Sequence, residues 1–284
     1  MNPMYAVLLG IIQGLTEFLP ISSTAHLTLT GKLLGFIDPQ HPEQWTAFIA
    51  VMQLGTLAAV LLYFSRDIIA MAGSLFNDLK SNGSGLGIRG YTNESWLAMY
   101  IALGTLPVAC MGFSLKHIIE GAITKSTPVL IASLIGVAAL LWFAEKVARR
   151  VRTIDQLTWR DALFIGVAQA AALIPGSSRS GTTMTAALFL GLTRNAAARF
   201  SFLLSIPAVF ASGVYEMTKI NVSVFQLGVA SLVVATLVSA LAGYAAIAWL
   251  LRYLMNNTTM VFVWYRFGLG LALIVMLLLE MIQP

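Results

Sequence analysis

The chain has 284 residues, of which 58% are hydrophobic and 10% charged, with a formal net charge of +5; its mean hydropathy is +0.83. An ordinary soluble domain is roughly 45–50% apolar and about 25% charged. The composition therefore excludes a soluble enzyme, a disordered protein and a coiled coil, and points to an all-α polytopic membrane protein. The single cysteine, Cys110, excludes an intramolecular disulfide and a thiolate metal cluster. The basic residues gather in loops beside apolar stretches, as the positive-inside rule expects, so no nucleic-acid partner is expected. No signal peptide is expected either: the start has no basic n-region, and its apolar run is interrupted by Gln13 and Glu17.

In chain order, the first apolar segment covers residues 4–34. It carries Gln13, Glu17 and His26 and is broken by Pro20-Ile21-Ser22-Ser23-Thr24. Uncharged runs follow between Glu43 and Arg66, between Glu94 and Lys116, and between Lys125 and Glu145. The polar, glycine-rich stretch from Asn77 to Asn93 reads as a flexible cytoplasmic loop. The next apolar segment, residues 163–192, carries Gln169 and Arg179 and is broken by Pro175-Gly176-Ser177-Ser178-Arg179-Ser180-Gly181. The last three runs lie between Arg199 and Glu216, between Lys219 and Arg252, and over residues 261–281, with Arg266 near the start of the final one. A spanning helix needs roughly 17–25 apolar residues, which gives six transmembrane helices. In the two broken segments, proline ends a helix, and irregular backbone is tolerated at membrane depth only where protein or a water-filled cavity surrounds it. Two re-entrant helical hairpins are expected, with a kinked span for each as the alternative.

The broken segments resemble each other. Gln13 and Gln169 are 156 positions apart, and Pro20 and Pro175 are 155 apart. An internal repeat is expected within a single membrane domain over 1–284. Repeat one covers about 1–145 with its hairpin at 4–37, and repeat two about 146–284 with its hairpin at 161–192. Matching interruptions in two halves are the sequence sign of an inverted-repeat membrane fold with a midplane site. If each hairpin returns to the side it entered, one face holds Arg66, Lys80, Arg89, Lys146, Arg149, Arg150, Arg152, Arg160, Arg194, Arg199 and Arg252. The other holds Lys32, Lys116, Lys125 and Lys219. The richer face is then cytoplasmic, and the first hairpin and both termini are external.

Ionisable residues within membrane segments are functional candidates by default. Gln13 and Glu17 are four apart and share a helix face. A carboxylate and an amide oxygen there can bind a hard cation, Mg²⁺ or Ca²⁺, with phosphate and water completing the shell; a buried polar contact between helices is the bland alternative. Ser22, Ser23, Thr24 and His26 crowd the first break. A hydroxyl beside an imidazole can become a nucleophile, and hydroxyls at a break also cap helices. Ser23 is the favoured nucleophile, with Ser22 or Thr24 as cap or phosphate donor. At the second break, Gly176 and Gly181 permit tight turns. Backbone N–H groups at the following helix start form an anion cradle, and Arg179 adds a bidentate fork for phosphate. Pointed at each other, the two breaks would make one site for a phosphorylated, metal-bound substrate with a lipid tail. Blander roles are expected elsewhere: His41 and His117 in loops, Glu216 at a span end, Pro107 and Pro207 as kinks, and Trp45, Trp96, Trp159 and Trp264 as interfacial anchors.

The runs Gly14-Leu15-Thr16-Glu17-Phe18-Leu19-Pro20-Ile21-Ser22-Ser23-Thr24-Ala25-His26 and Pro175-Gly176-Ser177-Ser178-Arg179-Ser180-Gly181 strongly resemble the bacterial undecaprenyl-diphosphate phosphatases of the bacitracin-resistance (BacA/UppP) type, and the resemblance extends over essentially the whole chain. It implies hydrolysis of undecaprenyl diphosphate to undecaprenyl phosphate and inorganic phosphate, which recycles the lipid carrier for peptidoglycan. It implies dependence on a divalent cation, and a site facing the periplasm from the bacterial cytoplasmic (inner) membrane. The family's Glu/Gln-x-x-x-Glu pair is met by Gln13 and Glu17, its serine and histidine by Ser23 and His26, and its phosphate-binding arginine by Arg179. Ser178, Ser180 and Thr183 stand at matching positions around that arginine. Expected partners are undecaprenyl diphosphate and membrane lipids, with a homodimer left open. Two chemistries stay open, a phosphoserine intermediate with His26 or Glu17 as base, and direct attack by water. A polyprenyl-phosphate transporter is the alternative of another class.

Overall fold

The computed structural model describes residues 2–37, 42–82, 90–114, 126–219 and 229–282. Among them the secondary structure is helical: α1 (Pro3–Phe18), α2 (Ser23–Leu33), α3 (Pro42–Tyr63), α4 (Ser65–Asn82), α5 (Asn93–Ser114), α6 (Thr127–Val147), α7 (Trp159–Ala170), α8 (Arg179–Phe189), α9 (Arg194–Lys219), α10 (Val229–Asn256) and α11 (Met260–Leu278). Six of them, α3, α5, α6, α9, α10 and α11, are long and apolar enough to cross a membrane, and they overlap the six apolar runs, the last of which carries Arg266. Pro107 and Pro207 lie inside α5 and α9. His41, His117, Lys116 and Lys125 fall outside the described residues, as does the side chain of Glu216.

The two interrupted segments form helix–break–helix units. With a rise of about 1.5 Å per residue, α2 and α8, at 11 residues each, are far shorter than a hydrocarbon core of about 30 Å. In the first unit, Pro20 has no N–H to continue α1, and Leu19 before it is extended, at φ −69° and ψ 140°. Both second helices start from a serine with positive φ. Ser22, at φ 74°, accepts from the Ala25 N–H, and Ser178, at φ 69°, accepts from the Gly181 N–H. A non-glycine residue at such a φ carries on the order of 1–3 kcal/mol of strain, and such strain clusters at functional sites.

Close approach of backbones organises the packing. Helix α1 packs most extensively on α10, and α7 on α5. A Cβ at Gly10 would lie 2.5 Å from the Ala235 carbonyl oxygen, and one at Gly166 would lie 2.3 Å from that of Gly104. Small residues at these crossings let the helices meet where there is no water to expel. Helices α6 and α9 flank α8, and α11 lies on α6.

Two expectations are corrected here. The stretch from Asn77 is not loop throughout: α4 continues to Asn82, and residues 83–89 lie outside the described residues. Asp78 on α4 accepts from the Thr92 amide at 2.8 Å and the Ser95 hydroxyl at 2.6 Å, which fastens α4 to the start of α5. The polar residues there are one face of an amphipathic helix. Trp45 is not an interfacial anchor either. It is buried and stacks between Phe36 and Phe48, whereas Trp159 and Trp264 are exposed.

The basic loop residues make organised contacts. Glu145 at the end of α6 is bound by Arg150 and Arg194 and by the Thr259 hydroxyl at 2.7 Å, which gathers the ends of α6, α9 and α11. Arg152 pairs with Asp161 at 2.6 Å, and Arg199 with Asp67 at 2.9 Å.

Candidate active site

The centre of the site is Glu17, in the last turn of α1. Its side chain is 8% exposed. One carboxylate oxygen, Oε2, accepts from the Gln13 amide at 3.1 Å and from the Ser23 hydroxyl at 2.7 Å. The other, Oε1, accepts from Arg179 Nη2 at 3.3 Å. Ser23 is the first residue of α2 and Arg179 the first of α8, so one carboxylate joins the N-termini of two helices. A helix N-terminus presents unpaired N–H groups and the positive end of its dipole. The Ser180 hydroxyl donates to the Leu19 carbonyl at 3.0 Å, tying the second break to the first.

The remaining candidates separate by contact. Ser22 is buried and caps α2. Thr24 is exposed. Ser178 caps α8 and shares a hydrogen bond with Ser180 at 3.1 Å. Thr183 is fully buried. It donates to the Arg179 carbonyl at 2.7 Å and shares a hydrogen bond of 2.6 Å with Ser201, so it braces the start of α8 and does not reach the cluster. His26 turns away from Ser23. Its Nδ1 lies 2.7 Å from the Ser22 carbonyl and its Nε2 lies 2.6 Å from the Tyr265 hydroxyl, with the two rings stacked. A carbonyl only accepts, so Nδ1 carries the proton and Nε2 accepts from Tyr265.

Gln13 is fully buried, and its Oε1 has no hydrogen-bond partner, a costly state for an amide oxygen. Rotating that amide by a half-turn places Oε1 beside Glu17 Oε2, the oxygen that also accepts from Ser23. Among the described residues there is no group of three or more His, Cys, Asp or Glu that could enclose a metal. One carboxylate with neutral oxygens suits a hard cation that keeps water and takes phosphate oxygens from its substrate. Gln169, the sequence counterpart of Gln13, is also buried, with neither amide atom partnered among the described residues. The residue four positions on is Leu173, so the second unit has no matching acid.

Sequence reasoning missed Arg266. Expected near a span edge, it is fully buried and touches backbone carbonyls from three segments. Its signal was available: a lone arginine within an otherwise apolar span.

The sequence family described as "Bacitracin resistance protein BacA" matches residues 6–272. The chain belongs to the BacA family. Its relatives include proteins named undecaprenyl-diphosphatase. That of Syntrophobacter fumaroxidans is 52% identical over 274 residues, 96% of this chain and 97% of the relative. That of Chlorobaculum tepidum is 47% identical over 286 aligned positions, 98% of each chain. That of Myxococcus xanthus is 46% identical over 284, covering the whole of this chain and 92% of the relative. The family match spans both breaks and five of the six long apolar helices, and ends at residue 272 within the sixth.

Proposed function

We propose that this BacA-family protein hydrolyses undecaprenyl diphosphate to undecaprenyl phosphate and inorganic phosphate at the Glu17–Ser23–Arg179 cluster. The observation that carries the site assignment is the single carboxylate holding the Ser23 hydroxyl at 2.7 Å and Arg179 at 3.3 Å. The diphosphate draws Arg179 away from Glu17, and the guanidinium fork then holds phosphoryl oxygens. The N–H groups at the starts of α2 and α8 face the charge that builds on the transferring group. Glu17 takes the Ser23 proton, and Ser23 Oγ attacks the terminal phosphorus. The phosphoanhydride P–O bond breaks, and undecaprenyl phosphate leaves carrying the proton that Glu17 took, so Glu17 is again a carboxylate. Water then attacks the phosphoserine with Glu17 as base, releasing inorganic phosphate and returning a proton to Ser23 Oγ.

The engagement of both His26 ring nitrogens favours Glu17 over His26 as the base. Gln13 and Glu17 would hold a Mg²⁺ or Ca²⁺ ion, which supplies positive charge to offset the diphosphate when bound. The reading places the substrate site on the periplasmic side of the bacterial inner membrane. What supports that orientation is the basic cluster of Arg150, Arg152, Arg194 and Arg199 at the ends of α6 and α9, where the positive-inside rule expects the cytoplasm.

The test is phosphate release from undecaprenyl diphosphate by purified protein in detergent, with Mg²⁺, with Ca²⁺ and with EDTA. Release abolished by EDTA is expected. No release by folded protein under any condition would sink the diphosphatase reading, and release indifferent to EDTA would sink the metal.

A further inference from the structure

Arg266 lies on α11, seven residues into the helix, with none of its surface exposed. Among the described residues all of its acceptors are backbone carbonyls. Nε donates to Leu134 at 3.0 Å and Nη1 to Pro20 at 3.2 Å. Nη2 donates to Gly176 at 3.1 Å, to Ser177 at 3.2 Å and, more weakly, to Ser133 at 3.5 Å. Pro20 belongs to the first break, and Gly176 and Ser177 to the second. The helix-ending residues at both breaks leave carbonyls without helical partners, and one guanidinium serves both sets.

We infer that Arg266 is a positioning residue for the hydrolysis: its guanidinium bonds the carbonyls of both breaks and so fixes the separation of Glu17 and Ser23 from Arg179. The inference rests on the site assignment above. Glu17 and Ser23 reach the site from one unit and Arg179 from the other. Besides their own ion pair, which the substrate must open, the Ser180–Leu19 hydrogen bond and Arg266 join the two. Once the diphosphate separates Glu17 from Arg179, Arg266 is the charged group still holding both breaks. Five N–H donors in a rigid plane suit this task, and a lysine ammonium offers three on a flexible stem. A misplacement of about 1 Å at a reacting centre costs on the order of 100-fold in rate. Ground-state binding, shared between a long lipid tail and several phosphate donors, is less sensitive to it.

The experiment compares wild type with Arg266→Lys and Arg266→Gln in detergent, reading kcat and KM for undecaprenyl diphosphate alongside elution volume and thermal unfolding. For folded variants kcat is expected to fall about 30- to 100-fold, with KM changed less than about threefold, and Arg266→Lys is expected to retain more activity than Arg266→Gln. Folded variants with wild-type kcat would overturn the inference, as would a loss confined to KM. If both variants unfold where wild type persists, Arg266 belongs to the global fold and the positioning role is overturned. Glu17→Gln is the parallel control. Wild-type activity there would sink the site assignment itself, whereas an inactive Glu17→Gln beside a fully active Arg266→Lys would sink only the role of Arg266.

Discussion

At the residue scale, Glu17 and Thr183 make opposite tests of the cluster. Glu17→Gln keeps the size of the side chain and an acceptor for Ser23 but cannot take its proton. Its kcat is expected to fall by about 10²–10⁴-fold with unfolding unchanged, measured as phosphate release in detergent. Thr183→Val should do the reverse. It removes a hydroxyl from the part-buried Arg179 carbonyl and from the buried Ser201 hydroxyl, at a cost of about 1–3 kcal/mol. A lower unfolding temperature with a smaller loss of kcat than Arg179→Ala is expected. Equal loss of kcat in a Thr183→Val protein of wild-type stability would return Thr183 to the phosphate site. Glu17 and Arg179 were legible in the sequence because a charge inside an apolar run stands out. The division among hydroxyls was not. Serine and threonine cap helices, brace carbonyls and bind phosphate with the same atoms, and only three-dimensional placement separates Ser23 on a carboxylate from Ser22 and Ser178 on helix N–H groups. In the sequence His26 stands beside Glu17 as one of two candidate bases, because it neighbours the hydroxyls. Its partner Tyr265 comes from the far end of the chain, where no local spacing could reveal it.

At the element scale, the long apolar helices were legible because a run without charge has one stable environment in a bilayer. Helix α4 was not, since half its surface is polar and its composition resembles a loop; what makes it a helix is the apolar residues at helical spacing and its attachment to α5 through Asp78. Nor could charge counting reveal which helices meet. That is decided by small residues, and Gly166 gives the sharpest test. A methyl group there would stand 2.3 Å from the Gly104 carbonyl oxygen, a backbone atom that cannot swing aside. Gly166→Ala must therefore separate α7 from α5, and a destabilisation of about 1–3 kcal/mol is expected by thermal unfolding in detergent. Gly136, with open space around it, is the control position: Gly136→Ala should leave stability unchanged or slightly raised, because alanine is the better helix former by about 1 kcal/mol.

At the scale of the whole molecule, two polar systems are built into an apolar body, and they answer to different tests. One is the cluster at the two breaks. The other is the set of ion pairs at the ends of α6, α7 and α9. Asp161 represents the second. It begins α7, outside the spanning helices, and its side chain is 7% exposed. Burial alone pushes its carboxyl up. The Arg152 guanidinium, then the Thr158 hydroxyl and amide, outweigh that and hold it below the ordinary value of 3.8. The folded state thus binds this proton less readily than the unfolded chain. The stabilisation is complete above the ordinary carboxylate range and is lost as pH falls through the lowered folded value. Asp161→Asn should therefore lower stability by about 2–3 kcal/mol at pH 7, where a charge-assisted pair is lost. The gap between wild type and variant should close as the medium is taken below pH 3.8. Unfolding temperatures recorded across that range check the sign: a gap that widened on acidification would contradict the pairing. The same variant should keep its kcat at neutral pH, because Asp161 is bonded to Arg152 and Thr158 and to none of Glu17, Ser23 or Arg179. A loss of stability without loss of turnover is the outcome expected if the ion pairs hold the helices together while the breaks carry the chemistry.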